Sequence, residues 1–177
     1  AAVGDTFDGT ESFDESHWSD TTNSKMSFYA KSKTLAEKAA WDYVKNNNVS
    51  FELSVINPTA VLGPSLSNDI GVSNSMILRM LNGEMPALVK IHIGVVDVRD
   101  VAKAHLLSMQ SDKSNGERFI LSEKEMWMHE IANVLNKGGY KAPEKNMPNW
   151  LLKIIAIFKS DMVTISKMAG KKRMCHT

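Results

Sequence analysis

The sequence lacks the features that mark several large classes of protein. Its 177 residues include a single cysteine, Cys175, so an internal disulfide is excluded and no CxxC pair is present. The most apolar run, residues 150–158, is interrupted by Lys153 and is far shorter than the roughly 20 residues needed to cross a bilayer. The first residues have neither the basic nor the apolar region of a secretory signal. These absences predict no contact with a membrane and favour a cytoplasmic location.

An excess of charge of one sign is also missing. The chain has 21 Lys and Arg residues against 20 Asp and Glu residues, interspersed along its length. Proteins that bind nucleic acid or anionic lipid usually carry a basic patch. The five histidines show neither HxxxH nor HExxH spacing, so no metal site is predicted. We therefore expect a small-molecule partner, and neither nucleic acid, membrane nor metal.

The chain alternates between helical and strand-like segments. The patterns predict helices over 24–45, 73–81, 99–109, 124–136 and 148–158, and strands over 51–56, 95–98 and 118–121. Ser24 or Ser27 is expected to cap the first helix, and the asparagine run 46–48 to end it. Residues 1–24 lack an apolar period and predict an exposed loop. Alternation of this kind predicts an α/β fold with a mainly parallel sheet.

Tyr29 and Lys33 form the first candidate for chemistry. They are four residues apart on the first predicted helix, which puts them on one face about 6 Å apart at the Cβ atoms. A phenol in water ionises only near pH ~10, and an adjacent cation favours the phenolate. Such a pair could protonate a carbonyl oxygen as a hydride arrives, while the lysine also binds a sugar hydroxyl. Because the pattern is common on helix surfaces, it is a weak signal by itself.

Three segments, in order along the chain, strengthen the prediction that Tyr29 and Lys33 are catalytic. They are YAKSKTLAEK at 29–38, NPTAVLGP at 57–64 and VDVRDVAKAH at 96–105. Together they resemble the catalytic helix, the nicotinamide segment and a later strand-to-helix stretch of extended short-chain dehydrogenases/reductases. The opening Ala-Ala-Val, residues 37–41 and residues 97–100 are most similar to the dihydroflavonol reductase, cinnamoyl-CoA reductase and methylglyoxal reductase group.

The resemblance implies a partial NAD(P)-binding Rossmann-like fold. Residues 1–64 would form the end of the cofactor sheet with the catalytic helix, and 65–177 would form mostly substrate lobe with returning sheet elements. The implied activity is NADPH-dependent reduction of an aldehyde or ketone, with Tyr29 as proton donor and Lys33 as its partner. The implied cofactor contacts are Tyr29, Lys33, Pro58, Thr59 and Val61. NADP is the expected cofactor, and NAD stays open.

The chain departs from the family pattern in two places. It has no GxxGxxG turn for the pyrophosphate, and the family's catalytic Ser or Thr would lie before Ala1. The resemblance therefore implies that an N-terminal half is absent from these residues, which form a single fragment, and we expect the fragment alone to be inactive.

Two alternative functions stay open at this point. One is an NAD-dependent sugar-nucleotide epimerase, because such enzymes share the Tyr/Lys pair. The other is a truncated, non-catalytic fragment. The sequence identifies neither the carbonyl substrate nor the oligomeric state.

Overall fold

The computed structural model describes Val3 and residues 12–24, 26–158, 160–172 and 174–175. The helices are α1 (Phe28–Asn46), α2 (Gly71–Leu81), α3 (Val98–Gln110), α4 (Met128–Lys137), α5 (Asn149–Phe158) and α6 (Ser160–Met168). The strands are β1 (Ser12–Phe13), β2 (Val55–Pro58), β3 (Ala60–Leu62), β4 (His92–Asp97), β5 (Arg118–Leu121), β6 (Lys124–Trp127) and β7 (Met174–Cys175). Within these described stretches, no helix combines the length and the apolarity that a bilayer crossing requires.

Most strand pairs are parallel. Among the described strands, β2 pairs with β5, β3 with β4 and β1 with β7 in parallel, whereas β4 pairs with β6 antiparallel. A parallel pair needs a long crossover between its strands, and α3 lies in the crossover from β2 to β5. The α/β class with a mainly parallel sheet is therefore confirmed.

The chain divides into two compact units, and each is built from separate stretches. Unit 1 comprises Ala1–Thr59, Arg99–Ser122 and Met174–Thr177, and unit 2 comprises Ala60–Val98 and Glu123–Arg173. Unit 1 therefore holds α1, β2 and β5, whereas unit 2 holds β3, β4 and β6. The assignment of 1–64 to a cofactor sheet and of 65–177 to a substrate lobe stays a prediction.

Methionine supplies much of the core of unit 2. Met80 and Met128 are buried with Leu88, Ile131 and Ala132, and further methionines pack around them. The unbranched thioether chain fits irregular gaps between helix and strand. The methionines around this core therefore have a packing role in unit 2.

The N-terminal stretch of unit 1 is less exposed than the sequence predicts. Phe13 is only 2% exposed and forms a small core with Val3 and Ile120. Ser19 is also buried. The prediction of an exposed loop is wrong for these two residues, because an apolar ring and a short polar side chain in a non-periodic stretch give no periodic signal of burial.

The first four residues of the helix predicted over 124–136 form a strand instead. β6 pairs antiparallel with β4, so that His92 lies opposite Trp127 and Ile93 opposite Met126. This tertiary pairing overrides the local helical pattern. The helix itself begins at Met128.

Gly63 adopts a backbone conformation that other residues rarely take. Its φ is 138°, and a Cβ built on it would lie 2.7 Å from Cγ1 of Val98. Backbone strain of this kind costs about 1–3 kcal/mol in a residue with a side chain, and the close contact adds to it. A side chain at this position therefore requires both the backbone and Val98 to move.

We expect Gly63→Ala to lower the free energy of unfolding by about 3 kcal/mol, measured by denaturant titration. Gly83→Ala is the matched control, because Gly83 also has a positive φ, of 73°, but no atom within 4 Å of the added Cβ. The control should lose about 1 kcal/mol. Equal losses in the two variants would contradict the steric argument.

A tight turn at Asp14–His17 lowers the pKa of one carboxyl. The Ser16 hydroxyl donates to Asp14 Oδ1 at 2.5 Å, the His17 ring lies 2.8 Å from the same oxygen, and the Ser16 backbone N–H donates at 2.8 Å. The hydrogen bond from the Ser16 hydroxyl has the largest effect, and together these bonds lower the pKa of Asp14 from 3.8 to about 2. Because the folded value is the lower one, the turn gains stability above pH 3.8 and loses it as the pH falls toward 2.

An NMR titration of the Asp14 carboxyl should therefore give a midpoint near 2, and Ser16→Ala should raise the pKa toward 3.8. Ser50→Ala, in an exposed position elsewhere in unit 1, should leave the midpoint unchanged. A wild-type carboxyl that titrates at 3.8 would show that the turn does not form in solution.

Candidate active site

Tyr29 and Lys33 lie in the first two turns of α1. The helix begins after Ser27, whose Oγ accepts a hydrogen bond from the Ala30 backbone N–H at 3.1 Å. It ends where the side chain of Asn47 donates to the Tyr43 carbonyl at 2.8 Å. The capping by Ser27 and the stop at the asparagine run are therefore confirmed.

The structure brings the side chains of Tyr29 and Lys33 together. Lys33 Nζ lies 5.7 Å from the centroid of the Tyr29 ring. Tyr29 is 66% exposed, and Lys33 is exposed as well. The pair thus presents a phenol and an ammonium group on an accessible part of the helix surface.

The face of α1 next to Tyr29 and Lys33 is buried along a narrow stripe. Ala30, Thr34 and Glu37 recur at helical spacing and are all buried in unit 1. Thr34 Oγ1 donates to the Ala30 carbonyl at 2.8 Å, which satisfies the hydroxyl within the helix. Glu37 is the charged member of the stripe, and a buried carboxylate needs a partner.

That partner is Arg118, the first residue of β5. Arg118 Nε donates to Glu37 Oε1 at 2.6 Å, and the two side chains are 10% and 7% exposed. The same Glu37 oxygen lies 3.4 Å from Trp41 Nε1 and 3.4 Å from Asn57 Nδ2. A single carboxylate oxygen therefore joins α1 to β5 and to the end of β2.

Arg118 also contacts the N-terminal stretch. Its Nη1 donates to the carbonyls of Glu15 at 2.6 Å and His17 at 2.9 Å. Its guanidinium carbon lies 3.7 Å from the centroid of the Trp18 ring. Sequence reasoning did not identify Arg118, because residues 81 positions apart give no local spacing signal.

Pro58 and Thr59 lie at the carboxyl end of β2. The Thr59 backbone N–H and its hydroxyl both donate to the Leu121 carbonyl, at 2.9 Å and 3.1 Å. The ends of β2 and β5 are therefore tied together. Ligands of open α/β sheets bind beyond the carboxyl ends of parallel strands, so this edge is the expected place for one.

Val61 belongs to unit 2, in β3 opposite Val96. It lines a cleft of ≈390 Å³ between the end of β3 and the start of α2. Asn74 fixes one wall of this cleft, because its amide donates to the Gly63 carbonyl at 2.9 Å and accepts from the Gly63 N–H at 3.3 Å. The role of Asn74 was not apparent from the sequence.

The described residues include groups whose chemistry suits the nicotinamide end of a dinucleotide. The exposed phenol and ammonium offer a proton donor and a cation for a sugar hydroxyl, and the carboxyl ends of β2 and β5 offer a backbone edge. In the part of the chain that the structure covers, no three His, Cys, Asp or Glu side chains converge as metal ligands would.

Several known proteins are similar to this chain. A cinnamoyl-CoA reductase 2 of Medicago truncatula is 40% identical over 126 residues, which is 70% of this chain and 37% of that protein. The NADPH-dependent methylglyoxal reductase GRE2 of Saccharomyces cerevisiae is 34% identical over 138 residues, which is 72% of this chain and 40% of that protein.

A solved structure of Gre2 from Candida albicans in complex with NADPH superimposes with a TM-score of 0.64 at 28% identity. The match covers 82% of this chain and 47% of that one. The Rossmann-like fold of such reductases, implied by the resemblance, is therefore confirmed.

The chain spans less than half the length of these relatives. A family model, described as the NAD dependent epimerase/dehydratase family, matches residues 4–121. That match covers most of the chain and includes α1 together with β2, β3, β4 and β5. The chain therefore belongs to the NAD-dependent epimerase/dehydratase family of extended short-chain dehydrogenases/reductases.

Proposed function

We propose that this chain is part of an NADPH-dependent reductase that acts on an aldehyde or ketone. The observation that carries the proposal is the contact between Tyr29 and Lys33 on an exposed part of α1. The named reductase activities of similar proteins support the choice of reduction over epimerisation. The proposed substrate is a small carbonyl compound.

In the proposed reaction, Tyr29 holds the carbonyl oxygen of the substrate by a hydrogen bond from its phenol. When bound, NADPH supplies the hydride that the carbonyl carbon accepts. The phenol oxygen gives its proton to the carbonyl oxygen, which becomes the hydroxyl of the alcohol. Lys33 stabilises the phenolate that remains, because its ammonium group lies near the ring.

Lys33 has a second proposed role, as a donor to the nicotinamide ribose. Its ammonium group is exposed, so a sugar hydroxyl can reach it while it stays near the Tyr29 ring. Pro58 and Thr59 are proposed to contact the nicotinamide through their backbone carbonyls, because Pro58 has no backbone N–H and both donors of Thr59 already bind the Leu121 carbonyl. Val61 stays a predicted contact from the family resemblance. The 177 residues contain no GxxGxxG turn, so the proposal concerns the nicotinamide half of the cofactor.

We place the reaction in the cytoplasm, and we propose NADP rather than NAD because two of the similar reductases are named for NADPH. The epimerase alternative makes a different prediction. It requires a tightly retained NAD and activity on nucleotide sugars, and it requires no net consumption of NADPH.

The test of the proposal is Tyr29→Phe in the full gene product. We expect kcat for aldehyde reduction to fall by at least about 100-fold, because positioned proton donors contribute about that much or more. NADPH binding, followed by fluorescence titration, should change little. Tyr43→Phe is the matched control on the same helix, since Tyr43 is also exposed, and it should keep full activity. Full activity of the Tyr29 variant would contradict the assignment.

Lys33→Met should weaken NADPH binding and lower kcat, each by about 10-fold or more, because a hydrogen bond from a charged group is worth about 1.5–3 kcal/mol. Steady-state kinetics and the same titration measure both effects. Lys31→Met removes a neighbouring exposed charge from α1 and should change neither quantity more than about twofold. If the two variants behave alike, Lys33 has no special role.

A further inference from the structure

We propose that Glu37 and Arg118 are positioning residues, which hold α1 so that Tyr29 and Lys33 stay in register with the end of β2. This inference rests on the proposed function, because it assigns the ion pair to the same site. The pair touches neither the substrate nor the cofactor in this proposal. It acts through the helix that carries the proton donor.

The first argument is the number of elements that meet at one oxygen. Glu37 Oε1 accepts from Arg118 Nε on β5 and lies within 3.4 Å of the amide nitrogen of Asn57 on β2. Asn57 immediately precedes Pro58 and Thr59, the proposed nicotinamide contacts. The helix that carries the proton donor and the strand end that would hold the nicotinamide therefore share a hydrogen-bonded atom.

The second argument is that Arg118 cannot follow α1 if the helix turns. Two backbone carbonyls, of Glu15 and His17, fix its Nη1, and the Trp18 ring covers the guanidinium plane. A planar guanidinium presents its donors in a rigid fork, so these contacts also fix the direction in which Nε points. The Glu37 carboxylate must therefore lie where Nε of Arg118 points, and this requirement fixes the orientation of α1.

The third argument is that stability alone does not account for a pair of this kind. Removing two charges from water costs several kcal/mol per ion, and apolar replacements of a buried pair are often neutral or stabilising. Arg118 Nη2 is in addition buried with no hydrogen-bond partner among the described residues, which adds to the cost. The ion pair fixes the direction of the Glu37 side chain, which apolar side chains cannot do.

Glu37 is close enough to Lys33 and Tyr29 along α1 for a small rotation of the helix to displace them. Glu37 lies one helical turn beyond Lys33 and two turns beyond Tyr29, or about 6 Å and 12 Å along the axis. A rotation of the helix by ~10° would displace a side chain at a radius of ~6 Å by about 1 Å. A displacement of about 1 Å between reacting groups can lower the rate about 100-fold.

The experiment replaces both charges at once, with Glu37→Leu and Arg118→Met in the full gene product. We expect the melting midpoint to fall by no more than about 10 °C, because the double change leaves no unpaired buried charge, while the carbonyls of Glu15 and His17 each lose a donor. We expect kcat to fall about 100-fold and KM for the carbonyl to change less than about threefold. The split between kcat and KM separates loss of position from loss of folded protein.

Two single variants sharpen the result. Glu37→Gln keeps the shape and one acceptor oxygen for Arg118, so it should retain about 10-fold more kcat than the apolar pair. Asp42→Asn makes the same kind of change at an exposed position of α1 and should leave kcat unchanged. Hydrogen exchange of α1 amides provides a readout that needs no activity, and it should be faster in the apolar pair at equal stability.

The inference is overturned if the apolar pair is stable and keeps kcat within about twofold of the wild type. It is also overturned if kcat falls only in proportion to the folded fraction, or if exchange of α1 is unchanged at equal stability. A wild-type protein that neither binds NADPH nor reduces a carbonyl removes the proposed function instead. The exchange result then decides whether the pair anchors the helix.

Discussion

The guanidinium group of Arg118 lies where three parts of unit 1 meet. It binds a carboxylate on α1 and two carbonyls of the N-terminal stretch, and its own backbone belongs to β5. These partners are 81 to 103 residues away along the chain. Because a buried charge is tolerated only with partners in place, the three parts must assemble together around it.

The helix α1 therefore has two segments in different environments. Its middle, around Glu37, is buried and bonded in fixed directions, whereas its beginning, at Tyr29, is exposed. A rigid helix transmits the position of one to the other. In the proposed mechanism, Tyr29 and Lys33 thereby gain a defined location without being buried themselves, and they remain open to a ligand.

The sequence predicted what depends on local pattern. A serine cap at the start of α1, the strand Arg118–Leu121 and the shared face of Tyr29 and Lys33 all follow from short-range chemistry. The strand β6 was missed because its pairing with β4 lies outside any local window. Burial of Phe13 and the link between Glu37 and Arg118 were missed for the same reason. The sequence alone does not indicate which opposite charges, far apart along the chain, will form an ion pair.

The route of the chain through the two units has a consequence for how the protein can be divided. The chain passes from one unit to the other after Thr59, Val98, Ser122 and Arg173. Neither unit is a contiguous piece of the gene, so no single cut releases one of them intact. Contacts within unit 1 join residues far apart in sequence, which raises its contact order and slows its folding relative to a unit with local contacts. Partial chains that stop before Arg118 would lack β5, and with it the guanidinium group that binds α1 and the N-terminal stretch.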